Sequence, residues 1–151
     1  MKDLIPFLFS TIAILACTGF VLGALPPQSE EDLEQGADLV VTGTVEEVTT
    51  STKRHGLRSA DTIHRLVVRV DSVEKGKKSV AKGDEVIVRC WTIRRRPQGW
   101  VGDSGHRGIP DAGERCRFWL RKRDDGSWGA LAPNGIEALD SVSESEVRSE
   151  E

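Results

Sequence analysis

No C-x-x-C pair and no two histidines at ligand spacing occur in this chain. That argues against a structural zinc site. Cysteine is scarce, with three in 151 residues: Cys17, Cys90 and Cys116. Histidine is equally scarce, with His55, His64 and His106. Neither set forms a metal-ligand or nucleophile pattern, and no cofactor is expected. A nucleotide-binding phosphate loop is missing too. Gly76-Lys77-Lys78-Ser79 ends like one, but Asp71 stands where its first glycine belongs, and no fitting helix follows.

Charge is absent from residues 4–25, which are almost uniformly apolar. Met1-Lys2-Asp3 precedes this run and Pro26-Pro27 ends it. A lysine-bearing start, an apolar stretch and small residues at 23–24 form the pattern of a secretory signal peptide. The sequence predicts a leader over 1–24, cleaved after Gly23 or Ala24. Two alternatives stay open. The run is also long enough for an uncleaved anchor, which needs about 20 apolar residues. Ile14-Leu15-Ala16-Cys17 resembles a bacterial lipobox, which would make Cys17 a lipidation site. In each case the body of the chain is exported, to the periplasm, the cell envelope or beyond.

Removal of 1–24 leaves 127 of the 151 residues, enough for one domain with a modest core. Its charge is unevenly spread. Glu30, Glu31, Asp32, Glu34 and Asp38 give −5 ahead of the first strand. From 137 onward six acids against Arg148 give another −5. Between them, 19 Lys and Arg against 12 Asp and Glu leave +7. A basic body can attract anionic partners; the acidic ends can equally neutralise it. Cys90 and Cys116 fall on the apolar sides of expected strands, so in an oxidising compartment they are candidates for a disulfide. Two free buried thiols are the alternative.

Along the body, Ser29 caps a short helix that stops at Gly36, with Asp32 placed to answer the cap. Five strands follow, at 39–48, 63–73, 85–93, 114–121 and 128–132. Gly43 inside the first marks a bend or a close backbone approach. The polar, basic stretch 49–61 reads as a mobile loop, and 74–84 as a second basic loop. In the fourth strand Cys116, Phe118 and Leu120 face in, while Arg115, Arg117, Trp119 and Arg121 face out. Asp125-Gly126 and Pro133-Asn134-Gly135 are turns. Residues 94–110 hold four glycines and two prolines and form a long irregular connection. Residues 140–151 are Ser/Glu-rich and expected to be a disordered acidic tail. The organisation is therefore 1–24 leader, 25–37 linker and short helix, 38–139 barrel, 140–151 tail. The fold class is all-β: a five-stranded closed or partly open OB-type barrel.

The order of four motifs resembles the netrin-like domains, related in fold to tissue inhibitors of metalloproteinases. They are Ala37-Asp38-Leu-Val-Val-Thr-Gly-Thr-Val45, Val70-Asp-Ser-Val-Glu-Lys-Gly76, Gly83-Asp-Glu-Val-Ile-Val88 and Pro110-Asp-Ala-Gly-Glu-Arg115. The resemblance spans roughly 37–139 and implies the OB-type barrel of small exported bacterial proteins. The animal inhibitors chelate a protease zinc through an N-terminal Cys-x-Cys, which this chain lacks. Gly102-Asp103-Ser104-Gly105 also resembles the nucleophile segment of chymotrypsin-like proteases, with His106 in place of the last glycine. His55 and His64 lack that family's flanking residues, so a hydrolase using Ser104 ranks last.

The binding candidates are Trp91, Arg94, Arg95, Arg96, Trp100 and His106. Arginine beside tryptophan suits sugars, anionic polymers or a protein partner; export makes nucleic acid a poor fit. Trp100 is expected half-buried as an anchor, with at least two of the three arginines in water. The expected function is a non-catalytic binding or interaction module whose partner is a protein or anionic polymer at the cell envelope. Membrane contact is expected only through the leader or Cys17. The alternative function is inhibition of an extracellular protease.

Overall fold

β-branched residues are concentrated in 40–52, 62–73 and 86–93, and the chain forms six strands behind one helix. The computed structural model describes residues 26–139. The expected leader, Cys17 and the expected tail 140–151 lie outside the described residues. The elements are α1 (Glu30–Gly36), β1 (Leu39–His55), β2 (Ser59–Lys75), β3 (Glu85–Arg95), β4 (Arg115–Lys122), β5 (Trp128–Ala130) and β6 (Ile136–Ala138). Among the described residues, no helix is long and apolar enough to cross a membrane.

β1 pairs antiparallel with β2 and, through 39–44, with β4. β2 pairs with β3, β3 runs parallel to β5, and β5 pairs with β4. The order β1-β2-β3-β5-β4 thus returns to β1, closing a ring of five strands, and β6 adds to β4. Leu39, Val41, Leu66, Val88, Phe118 and Leu120 are among the buried side chains that fill its core. Gly43 makes the close approach expected of it. A Cβ there would lie 2.6 Å from the Arg69 carbonyl oxygen and from Val68 Cγ1, at a register shift between β1 and β2.

Three sequence expectations need correction. The stretch 49–61 is not a loop. It is the outer half of the β1-β2 hairpin, with Thr50 opposite His64, Thr52 opposite Thr62 and His55 opposite Ser59. Its residues are polar on both faces, so hydrophobic alternation was absent. The threonines still favour extended backbone, and Gly56 at φ 74° makes the turn. Trp119 does not face water; it is 3% exposed. Helix α1 covers that face of β4, and Leu33, Ala37 and Val40 form a second small core with Trp119. Finally, β5 stops at Ala130 and the turn at 133–135 leads into β6, which the sequence did not disclose.

α1 is held where the capping residues place it. Ser29 Oγ accepts from the Asp32 amide at 3.1 Å and donates to Asp32 Oδ2 at 2.7 Å. Arg117 on β4 binds Glu30, Glu34 and Glu74, and its guanidinium lies 4.6 Å over the Trp119 ring. Arg121 donates to the Gly36 carbonyl at 3.0 Å. Two of the N-terminal acids, Glu30 and Glu34, are therefore engaged by Arg117 of β4.

Candidate functional site

One face of the β1-β2-β3 sheet changes chemistry along its length. Residues paired across strands share a face, and alternate residues of a strand return to it. Val48, Leu66 and Val88 form an apolar row at the core. The next row out is Thr50, His64 and Cys90. Beyond it stand three threonines abreast: Thr52, Thr62 and Thr92. The last row is Arg54, Ala60 and Arg95. There the register slips between Ala60 and Asp61, leaving Arg94 as the extra residue of a bulge. Bulges re-aim side chains at strand ends, and here Arg94 joins Arg95.

These residues line a cleft of about 560 Å³ formed by Thr52, Arg54, Ala60, Arg94 and Arg95. Its lining holds three guanidinium groups and no carboxylate. Arg94 Nη1 donates to Thr52 Oγ1 at 3.2 Å, and Arg95 Nη2 donates to the Leu57 carbonyl at 2.5 Å. Leu57, at the ribbon turn, is 94% exposed.

Arg96 behaves differently from its two neighbours. Its Nη2 meets Asp61 Oδ1 at 2.5 Å, and both side chains are nearly buried, at 12% and 11% exposure. Its Nη1 donates to the Ala60 and Arg95 carbonyls, both at 3.0 Å. The guanidinium also sits 5.1 Å over Trp100 and 6.0 Å over Trp91. His55 Nε2 takes the other Asp61 oxygen at 2.8 Å. Arg94 and Arg95 face solvent, while Trp100 is 49% exposed. Arg96, Trp91 and Trp100 thus form a stack tied to Asp61, separate from the Arg54-Arg94-Arg95 cleft.

The 102–106 segment has an architectural task. Asp103 Oδ1 accepts from the Gly105 amide at 2.9 Å. Gly105 has φ 80°, and a Cβ there would lie 2.5 Å from the Trp91 carbonyl oxygen. Only glycine permits this contact, which bridges Thr92 to Gly105. His106 then fills the gap where β3 and β5 part. Its Nε2 donates to the Ala130 carbonyl at 2.8 Å, and its Nδ1 accepts from the Trp91 amide at 3.1 Å. His64 Nε2 pairs with Thr92 Oγ1 at 2.9 Å. With His55 on Asp61, each histidine has a partner other than Ser104. Among the described residues no group of three His, Cys, Asp or Glu side chains gathers as a metal site.

Burial holds His64 below its ordinary value of 6.5, and the nearby His106 adds to that. The folded chain thus disfavours the charged ring. The sign follows: this contribution is complete above pH 6.5 and is lost as pH falls from there through the lowered value. Thermal melts from pH 8 to pH 5 should show a decline that His64→Gln flattens. An unchanged decline in that variant would remove His64 as its source.

Cys90 and Cys116 are free, buried thiols in the same core. Their strands do not pair with each other, since β5 lies between β3 and β4 in the order. Burial pushes Cys90 up to about 12 and Cys116 up to about 11, with Glu114 adding to the latter. Thiolate is the reactive form, so alkylation of the native protein should be slow. Denaturation without reductant should expose two thiols if they are unpaired and none if export has bridged them.

The sequence did not disclose Thr52, Arg54, Thr62, Thr92 or Asp61 as site residues. The alternation Thr50-x-Thr52-x-Arg54 was the available signal, hidden while 49–61 read as a loop. No protein-family model and no curated protein matches this chain.

Proposed function

We propose that the protein is an exported, non-catalytic binding module built on an OB-type barrel, with the ribbon end of β1, β2 and β3 as its binding surface for an anionic partner at the cell envelope. The observation that carries this is charge segregation. Acidic α1 is engaged by Arg117 at one end of the molecule. At the other end Arg54, Arg94 and Arg95 surround a cleft without a carboxylate. The strand order β1-β2-β3-β5-β4, closing on β1, supports the OB-type reading and with it the netrin-like resemblance. Such barrels bind oligonucleotides or saccharides on one face.

The purified protein should be retained on a heparin-like column and released by salt, because exposed charge pairs are screened. Passage through at low salt would overturn the reading. Export is tested separately: residues 1–30 fused to a reporter that works only outside the cytoplasm should give activity.

A further inference from the structure

Resting on that reading, we propose that the Arg54-Arg94-Arg95 cleft is a site for a tetrahedral oxyanion, a sulfate or phosphate ester group carried by the anionic partner. Three features favour a built site over diffuse charge. First, the guanidinium groups come from two strands flanking a central one, with Ala60 between them as a small floor. A larger residue there would fill the space an anion needs. Second, two of the forks are held in place. Arg95 is anchored on the Leu57 carbonyl and Arg94 on the Thr52 hydroxyl. Each keeps further N–H groups for a ligand, and a fixed fork loses less freedom on binding. Third, Thr52 Oγ1 already accepts from Arg94, so its own proton remains to be donated.

The donor set also selects the ligand. Arginine forks match the paired oxygens of sulfate and phosphate. A carboxylate offers only two oxygens, too few to engage three forks and a hydroxyl. No aromatic ring lines the cleft. Trp91 and Trp100 are engaged by Arg96 instead, which argues against single-stranded nucleic acid, whose bases need stacking platforms.

The test is an NMR titration of the purified protein with inorganic sulfate, inorganic phosphate and acetate. Sulfate or phosphate should shift the amides of Thr52, Arg54, Ala60, Arg94 and Arg95 saturably, and acetate should bind about 10-fold more weakly, the worth of one charged hydrogen bond. Arg54→Ser and Arg95→Ser should each weaken binding about 10-fold on the same basis. Arg95→Lys, which keeps the charge and loses the fork, should weaken it too, and serves if the serine variants fold poorly. Lys77→Ser with Lys78→Ser, in the loop beyond the far end of β2, should change nothing. At about pH 8, where both anions are largely divalent, tighter phosphate than sulfate binding would assign the ester as phosphate, and tighter sulfate would assign sulfate. Equal binding of all three anions, or equal loss in the lysine variant, overturns the site. Retention on the heparin-like column without any small-anion response overturns the site while leaving the binding module standing; loss of both overturns both.

Discussion

Asp61→Ala should cost about 3 kcal/mol and lower the melting temperature by roughly 10 °C. The reason lies in what the substitution leaves behind. Asp61 is buried near the turn end of the ribbon, and its carboxylate holds Arg96 on one oxygen and His55 on the other. Without it, the nearly buried Arg96 guanidinium keeps only two backbone carbonyls. An uncompensated buried charge costs far more than the intact pair contributes. Adding Arg96→Met should therefore recover part of the loss, because the apolar side chain can still lie against Trp91 and Trp100. A double variant less stable than Asp61→Ala alone would contradict this account. The same logic separates the three arginines. Arg94→Ser with Arg95→Ser should leave the melt nearly unchanged, since both side chains are exposed. Including Arg96→Ser should not.

Legibility in the sequence followed hydrophobic alternation. Cys116, Phe118 and Leu120 read correctly as inward because one face of β4 is apolar and the ring core lies beneath it. The helix start at Ser29 was readable because its signal is local: a hydroxyl and an acid three residues apart. The ribbon was not, because 49–61 carries polar residues on both faces and its strand pairing comes from β2. Arg96 was grouped with Arg94 and Arg95 because three consecutive arginines look alike in sequence. Only the bulge at the end of β3 separates them, and a bulge depends on the partner strand. Gly102-Asp103-Ser104-Gly105 shows the opposite hazard. A string resembling a catalytic segment here places Gly105 against Trp91 and His106 between β3 and β5.

The binding surface inherits its geometry from these conflicts. Residues 49–61 are too polar to pack a core, yet they pair as strands, so the sheet extends beyond the ring. Its outer rows then carry threonine and arginine in place of apolar side chains. The cleft is the consequence of a sheet longer than its core.

Trp119→Ala should cost about 3–5 kcal/mol, the usual range for deleting a buried tryptophan. Read from β4 alone, Trp119 belongs on the solvent side. The structure instead places it beneath α1, with Leu33, Ala37 and Val40 around it and Arg117 across its face. The loss should therefore have two parts. The ring leaves a cavity under the helix, and Leu33 and Ala37 lose the surface they bury against. Trp119→Phe should cost clearly less than Trp119→Ala. Phenylalanine keeps the aromatic face for Arg117, and the indole Nε1 has no hydrogen-bond partner among the described residues to forfeit. Amide exchange would localise the effect: protection should fall in α1 and at its Ser29 cap before it falls in β2 and β3. A melt within 1 kcal/mol of the parent, a threshold far below the usual cost, would show that α1 does not bury this face in solution. The outward assignment of Trp119 would then be restored.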